Sequence, residues 1–278
     1  MTTPAPMIRL VDLYKSFGAH PVLQGASIEI PTGKLTTIIG RSGEGKSVLL
    51  KHMIGLLQPD RGEVWVGDQE ISRMTSQALN EVRRRFAMLF QNAALFDSLT
   101  VYDNVAFPLR EKLRLPEAEV KTRVETALEQ VGLPNAGHKF PAELSGGMRK
   151  RAGLARALVM KPDIILFDEP TTGLDPLLAR SIHELIRGMQ LQFGFTAIMV
   201  THEIPEMFTF SDYVGMIRDG KIVAMAPTAE FIRTTDPNIR EFISVAGPPE
   251  AVLELARDAR EASESQVSEP AGRAQHAK

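Results

Sequence analysis

Gly40-Arg41-Ser42-Gly43-Glu44-Gly45-Lys46-Ser47 fits the pattern G-x-x-x-x-G-K-[ST] and stands between two apolar segments. Leu35–Ile39 before it reads as a buried strand, and Lys46–Leu57 after it as an apolar helix. Glycines at these positions let successive backbone N–H groups turn inward around phosphate oxygens, and the helix aims its positive end at them. Lys46 is then placed to reach the β- and γ-phosphates, and the Ser47 hydroxyl to ligate Mg²⁺. The plain alternative is a strand-to-helix turn that merely tolerates glycine. The strand before and the helix after favour a nucleotide site at the carboxyl end of a parallel strand.

A second apolar run, Ile164-Ile165-Leu166-Phe167, delivers Asp168 and Glu169 to a strand end. Alternating side-chain direction sends the two carboxylates different ways, so their roles can differ. Asp168 is placed to hold Mg²⁺ and Glu169 to accept a proton from attacking water. Alone, the pair reads as two solvated charges; beside a phosphate loop it reads as catalytic.

Outward from these two sites, strands are expected at Ile8–Leu13, Val22–Ile30, Glu63–Val66, Phe86–Phe90 and Thr196–Val200. Val214–Arg218 and Lys221–Met225 flank Asp219-Gly220, a pair preferred in two-residue hairpin turns. Helical patterns cover 101–109, 116–131 and 147–160, with further helices after Pro176 and from Glu203. Strands alternating with helices predict an α/β fold with a mostly parallel, helix-covered sheet, and the helix-only middle predicts an inserted subdomain. Beyond Ala246, Gly247-Pro248-Pro249 breaks the chain. Val252, Leu255, Ala256 and Ala259 then permit a short amphipathic helix, 251–262, which either docks or frays. Ser263–Lys278 has a disorder-prone composition.

The 278 residues are 44% hydrophobic and 24% charged, with 32 basic against 34 acidic side chains. That balance gives no electrostatic footprint for nucleic acid. The absence of cysteine excludes disulfides, a thiol nucleophile and cysteine metal clusters. No secretory signal is apparent, and no apolar run approaches the roughly 18 residues that a membrane span needs. The expectation is a soluble intracellular protein.

Leu144-Ser145-Gly146-Gly147-Met148 precedes a helix carrying Arg149, Lys150, Arg151 and Arg156, which reads as another anion-binding helix start. Together with the two sites above, this string resembles the signature motif of ATP-binding-cassette (ABC) ATPases. The resemblance covers residues 7 to about 245 and implies a P-loop NTPase core, RecA-like, with a mostly parallel sheet and an antiparallel β subdomain. A helical subdomain, about 92–160, would be inserted in it, and 246–278 would form a tail. It further implies Gln91 as the Q-loop glutamine that links Mg²⁺ and water to the helical subdomain. Asp175, in Thr172-Gly173-Leu174-Asp175, would be the D-loop residue and His202 the γ-phosphate switch histidine. Phe17 would stack on adenine, with Tyr14 a weaker candidate. The other histidines, His52 and His183 among them, have no such placement and read as structural or surface residues.

By the same resemblance, two ATP molecules lie in a head-to-tail homodimer. Each would sit between one phosphate loop, with Val48 contributing its backbone N–H, and the partner's Ser145, Gly146, Gly147 and Met148. Two departures stand out: Val48 replaces a frequent threonine and Met148 the usual glutamine. Neither touches the Mg²⁺ ligands or the base, so ATPase activity is expected to survive.

Gly45 to His52, Ala94 to Leu109 and the signature string together resemble one branch, the ATPases of Mla-type transporters. That branch also includes proteins named for toluene tolerance and for Mce-type lipid uptake, and it moves phospholipids between bacterial inner and outer membranes. The resemblance implies integral-membrane permease partners, an MCE-type lipid-binding subunit with small accessory subunits, and a peripheral place on the cytoplasmic face of the inner membrane. Leu95, Phe96, Leu99, Val101, Val105 and Phe107 are expected mostly as subdomain core, with Asp97 and Ser98 left for the permease. The tail helix is a candidate to dock on the opposite subunit. Two rival readings are an importer ATPase for a polar solute such as an amino acid and a non-transport cassette acting on ribosomes or DNA.

Overall fold

All five residues of Leu35–Ile39 are buried, as a central parallel strand covered on both faces requires. The computed structural model describes residues 6–113, 115–202 and 206–268. Its strands are β1 (Pro6–Phe17), β2 (His20–Pro31), β3 (Leu35–Ile39), β4 (Arg61–Val66), β5 (Gln69–Glu70), β6 (Phe86–Leu89), β7 (Ile164–Asp168), β8 (Thr196–Thr201), β9 (Tyr213–Arg218) and β10 (Lys221–Pro227). Its helices are α1 (Lys46–Met53), α2 (Ser76–Arg83), α3 (Val101–Leu113), α4 (Glu117–Gln130), α5 (Gly146–Leu158), α6 (Pro176–Phe193), α7 (Met207–Phe210), α8 (Thr228–Ile232), α9 (Pro237–Ile243) and α10 (Pro249–Ser268).

A six-stranded sheet runs in the order β10-β9-β3-β8-β7-β6, parallel except at β10. A second, antiparallel sheet has the order β2-β1-β4-β5. Period-two alternation along the parallel strands sorts side chains into two cores. Ile38, Ile164, Leu166, Ile198 and Val200 join the antiparallel sheet and α1. Leu35, Ile39, Ile165, Phe167, Ala197 and Met199 join the helices on the other face. Because β3, β6, β7 and β8 run the same way, the loops after them gather at one sheet edge.

Several elements differ from the sequence expectation. The helix from Lys46 ends at Met53 rather than Leu57. Gly55 donates to the His52 carbonyl and Leu56 to that of Lys51, the paired bonds of a Schellman turn. Helices α2, α8 and α9 had no clear periodicity; α2 buries only Leu79 and Val82, too thin a stripe to stand out. The expected helix start at Glu203 falls on 203–205, outside the described residues, and α7 follows them. Phe96 and Phe107, expected in the core, are both exposed, their rings 5.0 Å apart. Helix α10 runs beyond the expected 251–262 at both ends. Val252 and Ala256 bury against α6, α7 and α8 of the same chain while Leu255 stays exposed. The rest of the tail, 269–278, lies outside the described residues.

Candidate active site

The phosphate loop is shaped by close approach. A Cβ on Gly40 would stand 2.6 Å from the Ile217 carbonyl oxygen, and Gly45, the N-cap of α1, has φ +96° with Val22 packed against it. Arg41, Ser42 and Gly43 are exposed at the loop tip, while Glu44 accepts the Asp219 N–H and so ties the loop to the β9–β10 turn. The Lys46 ammonium donates to the carbonyls of Gly40 and Arg41 at 2.8 and 2.9 Å. Lys46 is only 5% exposed, and burial pushes its pKa down against the opposing pull of Glu169, Glu44 and Asp168. A desolvated cation held by neutral carbonyls, at a helix start, is a fitting receiver for polyphosphate. Val48 points its half-buried side chain into the core, and its carbonyl bonds His52 Nδ1 at 2.8 Å.

The carboxylates follow the strand parity. Asp168 continues the series Ile164, Leu166 toward α1, where its Oδ1 accepts the Ser47 hydroxyl at 2.8 Å. Hydroxyl and carboxylate oxygens are hard donors, and this pair, with the amide of Gln91 at the end of β6, fits a Mg²⁺ site that also takes phosphate oxygens. Glu169 leaves the strand in a left-handed conformation, φ +48°, with its N–H held by the Val200 carbonyl at 3.0 Å. Its Oε2 accepts the Thr172 hydroxyl at 3.0 Å, and its Oε1 lies 3.3 Å from His202 Nδ1. The loops after β3, β7 and β8 thus bring Lys46, Ser47, Asp168, Glu169 and His202 together.

Gln91, in the loop after β6, is exposed, and its carbonyl accepts from the Lys150 ammonium. Next to it, Ala93 and Ala94 are both left-handed, φ +57° and +47°, and their carbonyls accept from Arg156 at 2.7 and 2.8 Å. Arg149 donates to the Leu144 carbonyl, and Arg151 to the Val131 carbonyl and the Ser181 hydroxyl. Lys150, Arg151 and Arg156 turn donors to the chain's own oxygens and brace α5 against the loop after β6 and the neighbouring helices, while Arg149 is exposed.

Ser145 caps α5 by accepting the Met148 N–H, and Gly146 and Gly147 form the first turn. Asp175 caps α6 by accepting the Leu178 N–H at 3.0 Å. Among the described residues, no hydrogen bond or ion pair joins 145–148 or Asp175 to the phosphate loop. Phe17, 50% exposed, ends β1 on the antiparallel sheet. The Tyr14 ring is covered by the Arg61 guanidinium at 4.5 Å, while the Lys15 ammonium lies 5.9 Å from the centroid of the more exposed Phe17 ring. Sequence reasoning missed Thr172 as a Glu169 partner and missed Lys150 and Arg156 as loop clamps. Their partners are backbone or across the fold, and no residue spacing signals them.

The family model for ABC transporters matches residues 23–172. The chain is 39% identical over 239 residues to the intermembrane phospholipid transport system ATP-binding protein MlaF of Escherichia coli, covering 86% of this chain and 89% of that protein. It is 42% identical over 237 residues to the probable ribonucleotide transport ATP-binding protein mkl of Mycobacterium leprae, covering 85% of this chain and 68% of that one. Among solved structures, cbiO1 of Clostridium perfringens, part of the ABC transporter complex cbiONQ, aligns with TM-score 0.77 and 28% identity over 90% of this chain and 99% of that one. A dimeric ATP-binding cassette bound to ADP and Pi aligns with TM-score 0.73 and 30% identity over 80% of this chain and 99% of that one. The chain belongs to the ABC transporter family, as an ATP-hydrolysing subunit.

Proposed function

We propose that the chain powers phospholipid transport between the inner and outer membranes of a bacterium, as a homodimer bound to permease subunits at the cytoplasmic face of the inner membrane. The observation that carries this reading is the 39% identity to MlaF proteins along nearly their whole length. In the catalytic cycle Lys46 leaves the carbonyls of Gly40 and Arg41 for the β- and γ-phosphates of ATP, while the N–H groups from Ser42 to Val48 cradle the phosphates. Mg²⁺, held by Ser47 and Asp168 with Gln91, would neutralise developing phosphate charge. Glu169, oriented by Thr172, accepts the proton of the attacking water, and His202 contacts the γ-phosphate. Phe17 stacks on the adenine.

Ser145, Gly146, Gly147 and Met148, with Asp175, serve the nucleotide of the partner subunit. The dimeric state of relatives supports this arrangement, as does Leu177, 83% exposed beside Asp175, an apolar side chain awaiting cover. Binding of ATP closes the dimer and hydrolysis reopens it. The exposed Phe96–Phe107 pair, after the Gln91 loop, offers the permease an apolar anchor. An MCE-type lipid-binding subunit completes the assembly.

The mycobacterial relatives are named for ribonucleotide transport, which favours a polar-solute importer as the second reading. Copurification of the tagged chain from membranes in mild detergent separates the two. Recovery of a polytopic permease with a membrane-anchored lipid-binding subunit, and ATPase stimulated by phospholipid, is expected. A permease recovered with a polar-solute-binding protein would overturn the lipid reading.

A further inference from the structure

Three buried polar side chains of α6, His183, Arg187 and Gln190, share the i, i+4, i+7 face of one helix. Gln190 donates to the carbonyls of Gly33 and Phe195 at 2.9 and 3.2 Å, at the edge of the sheet away from the phosphate loop. Arg187 grips Asp212 through two bonds of 2.9 and 3.0 Å. At the catalytic end, His183 Nε2 lies 3.2 Å from the Thr171 hydroxyl. The His183 ring also packs on Phe210, centroids 4.3 Å apart and tilted 31°.

These contacts join two segments that carry the chemistry. Thr171 lies in the turn that also holds the bonds of Thr172 to the Glu169 carboxylate, of Thr172 N–H to the Glu169 carbonyl and of Leu174 N–H to the Thr171 carbonyl. Phe210 closes α7, the helix after His202, and α10 braces that helix from outside through the cluster containing Phe208, Phe210, Val252 and Ala256. We infer that His183 is a positioning residue. Its bond to Thr171 and its stack on Phe210 hold the Glu169 turn in register with the His202 segment, so that the two side chains meet at 3.3 Å. The inference rests on Glu169 being the base. A purely apolar side chain would fill the same volume without the directional bond to the Thr171 hydroxyl.

The test is steady-state ATP hydrolysis by the full chain, with ATP binding measured separately. His183→Phe keeps a ring on Phe210 and removes the bond to Thr171; Thr171→Val, nearly isosteric, removes it from the other side. Each is expected to lower kcat about tenfold with KM and ATP affinity within about twofold, as small misplacements of catalytic groups do. The double variant should be no slower than either single one. His183→Gln, which returns a hydrogen-bonding group, should recover kcat to within about threefold of wild type. Wild-type kcat in Thr171→Val, losses that multiply in the double variant, or no recovery in His183→Gln would overturn the inference. Glu169→Gln in the same assay separates the two layers. If it turns over normally, the base assignment falls and this inference with it. If it is inactive while Thr171→Val is normal, only the role of His183 falls.

Discussion

Burial acts on Lys46 and His183 in the same direction and with different consequences. Desolvation lowers the pKa of both, yet Lys46 faces Glu169, Glu44 and Asp168, whose charges favour its protonated form. Burial pushes His183 down to about 4, so it is neutral at physiological pH and suited to a fixed hydrogen bond. His52 is lowered by burial as well. A histidine with depressed folded pKa binds its proton first in the unfolded chain, so the stability present above about pH 6.5 is lost as pH falls toward 4. His183 accounts for a slope of up to about 1.4 kcal/mol per pH unit in that window. Urea unfolding at pH 7.5 and pH 5 should show wild type losing more stability than His183→Gln. Equal losses would contradict the buried neutral imidazole. The sequence reading of these two histidines as structural rested only on their lack of a strand-end position; what each one touches comes from elements distant in the chain.

At the scale of elements, the loop between β6 and α3 shows what patterning can and cannot convey. Most of Leu95, Phe96, Leu99, Val101, Val105 and Phe107 are expected as core, with Asp97 and Ser98 left outside, yet Phe96 in the loop and Phe107 on α3 are exposed. For Phe96 the backbone is held by Asn104, a fully buried amide. It accepts the Phe96 N–H at 2.7 Å and donates to the carbonyls of Phe96, Leu99 and Thr100. This clamp folds 96–100 back on the start of α3 and turns the aromatic ring out. Asn104→Ala would leave several of those backbone groups unpaired and should cost about 2–3 kcal/mol in urea unfolding. A loss below about 0.5 kcal/mol would mean that water replaces the clamp and that the loop is held elsewhere. The phosphate loop, β7 and the β9–β10 hairpin were legible because local rules suffice there: glycine geometry, strand parity and the Asp-Gly turn. Lys150, Arg156 and Asn104 were not, because their partners are carbonyls that no composition marks.

Across the whole molecule, one sheet edge collects Lys46, Ser47, Asp168, Glu169 and His202, while Ser145–Met148 and Asp175 cap helices that make no bond to that edge among the described residues. We read these two sets as halves of composite sites that a second copy completes, in keeping with the dimeric cassettes with which this chain aligns. The antiparallel sheet supplies the exposed Phe17, and α10 packs on α6 and α7 of its own chain. Completion by a second copy makes hydrolysis and association two readings of one event. The most direct measurement is therefore size-exclusion chromatography of Glu169→Gln with and without ATP and Mg²⁺, beside its turnover. A nucleotide-dependent dimer that hydrolyses at a small fraction of the wild-type rate is predicted. A variant that stays monomeric with ATP bound, or hydrolyses at the wild-type rate, would contradict the account.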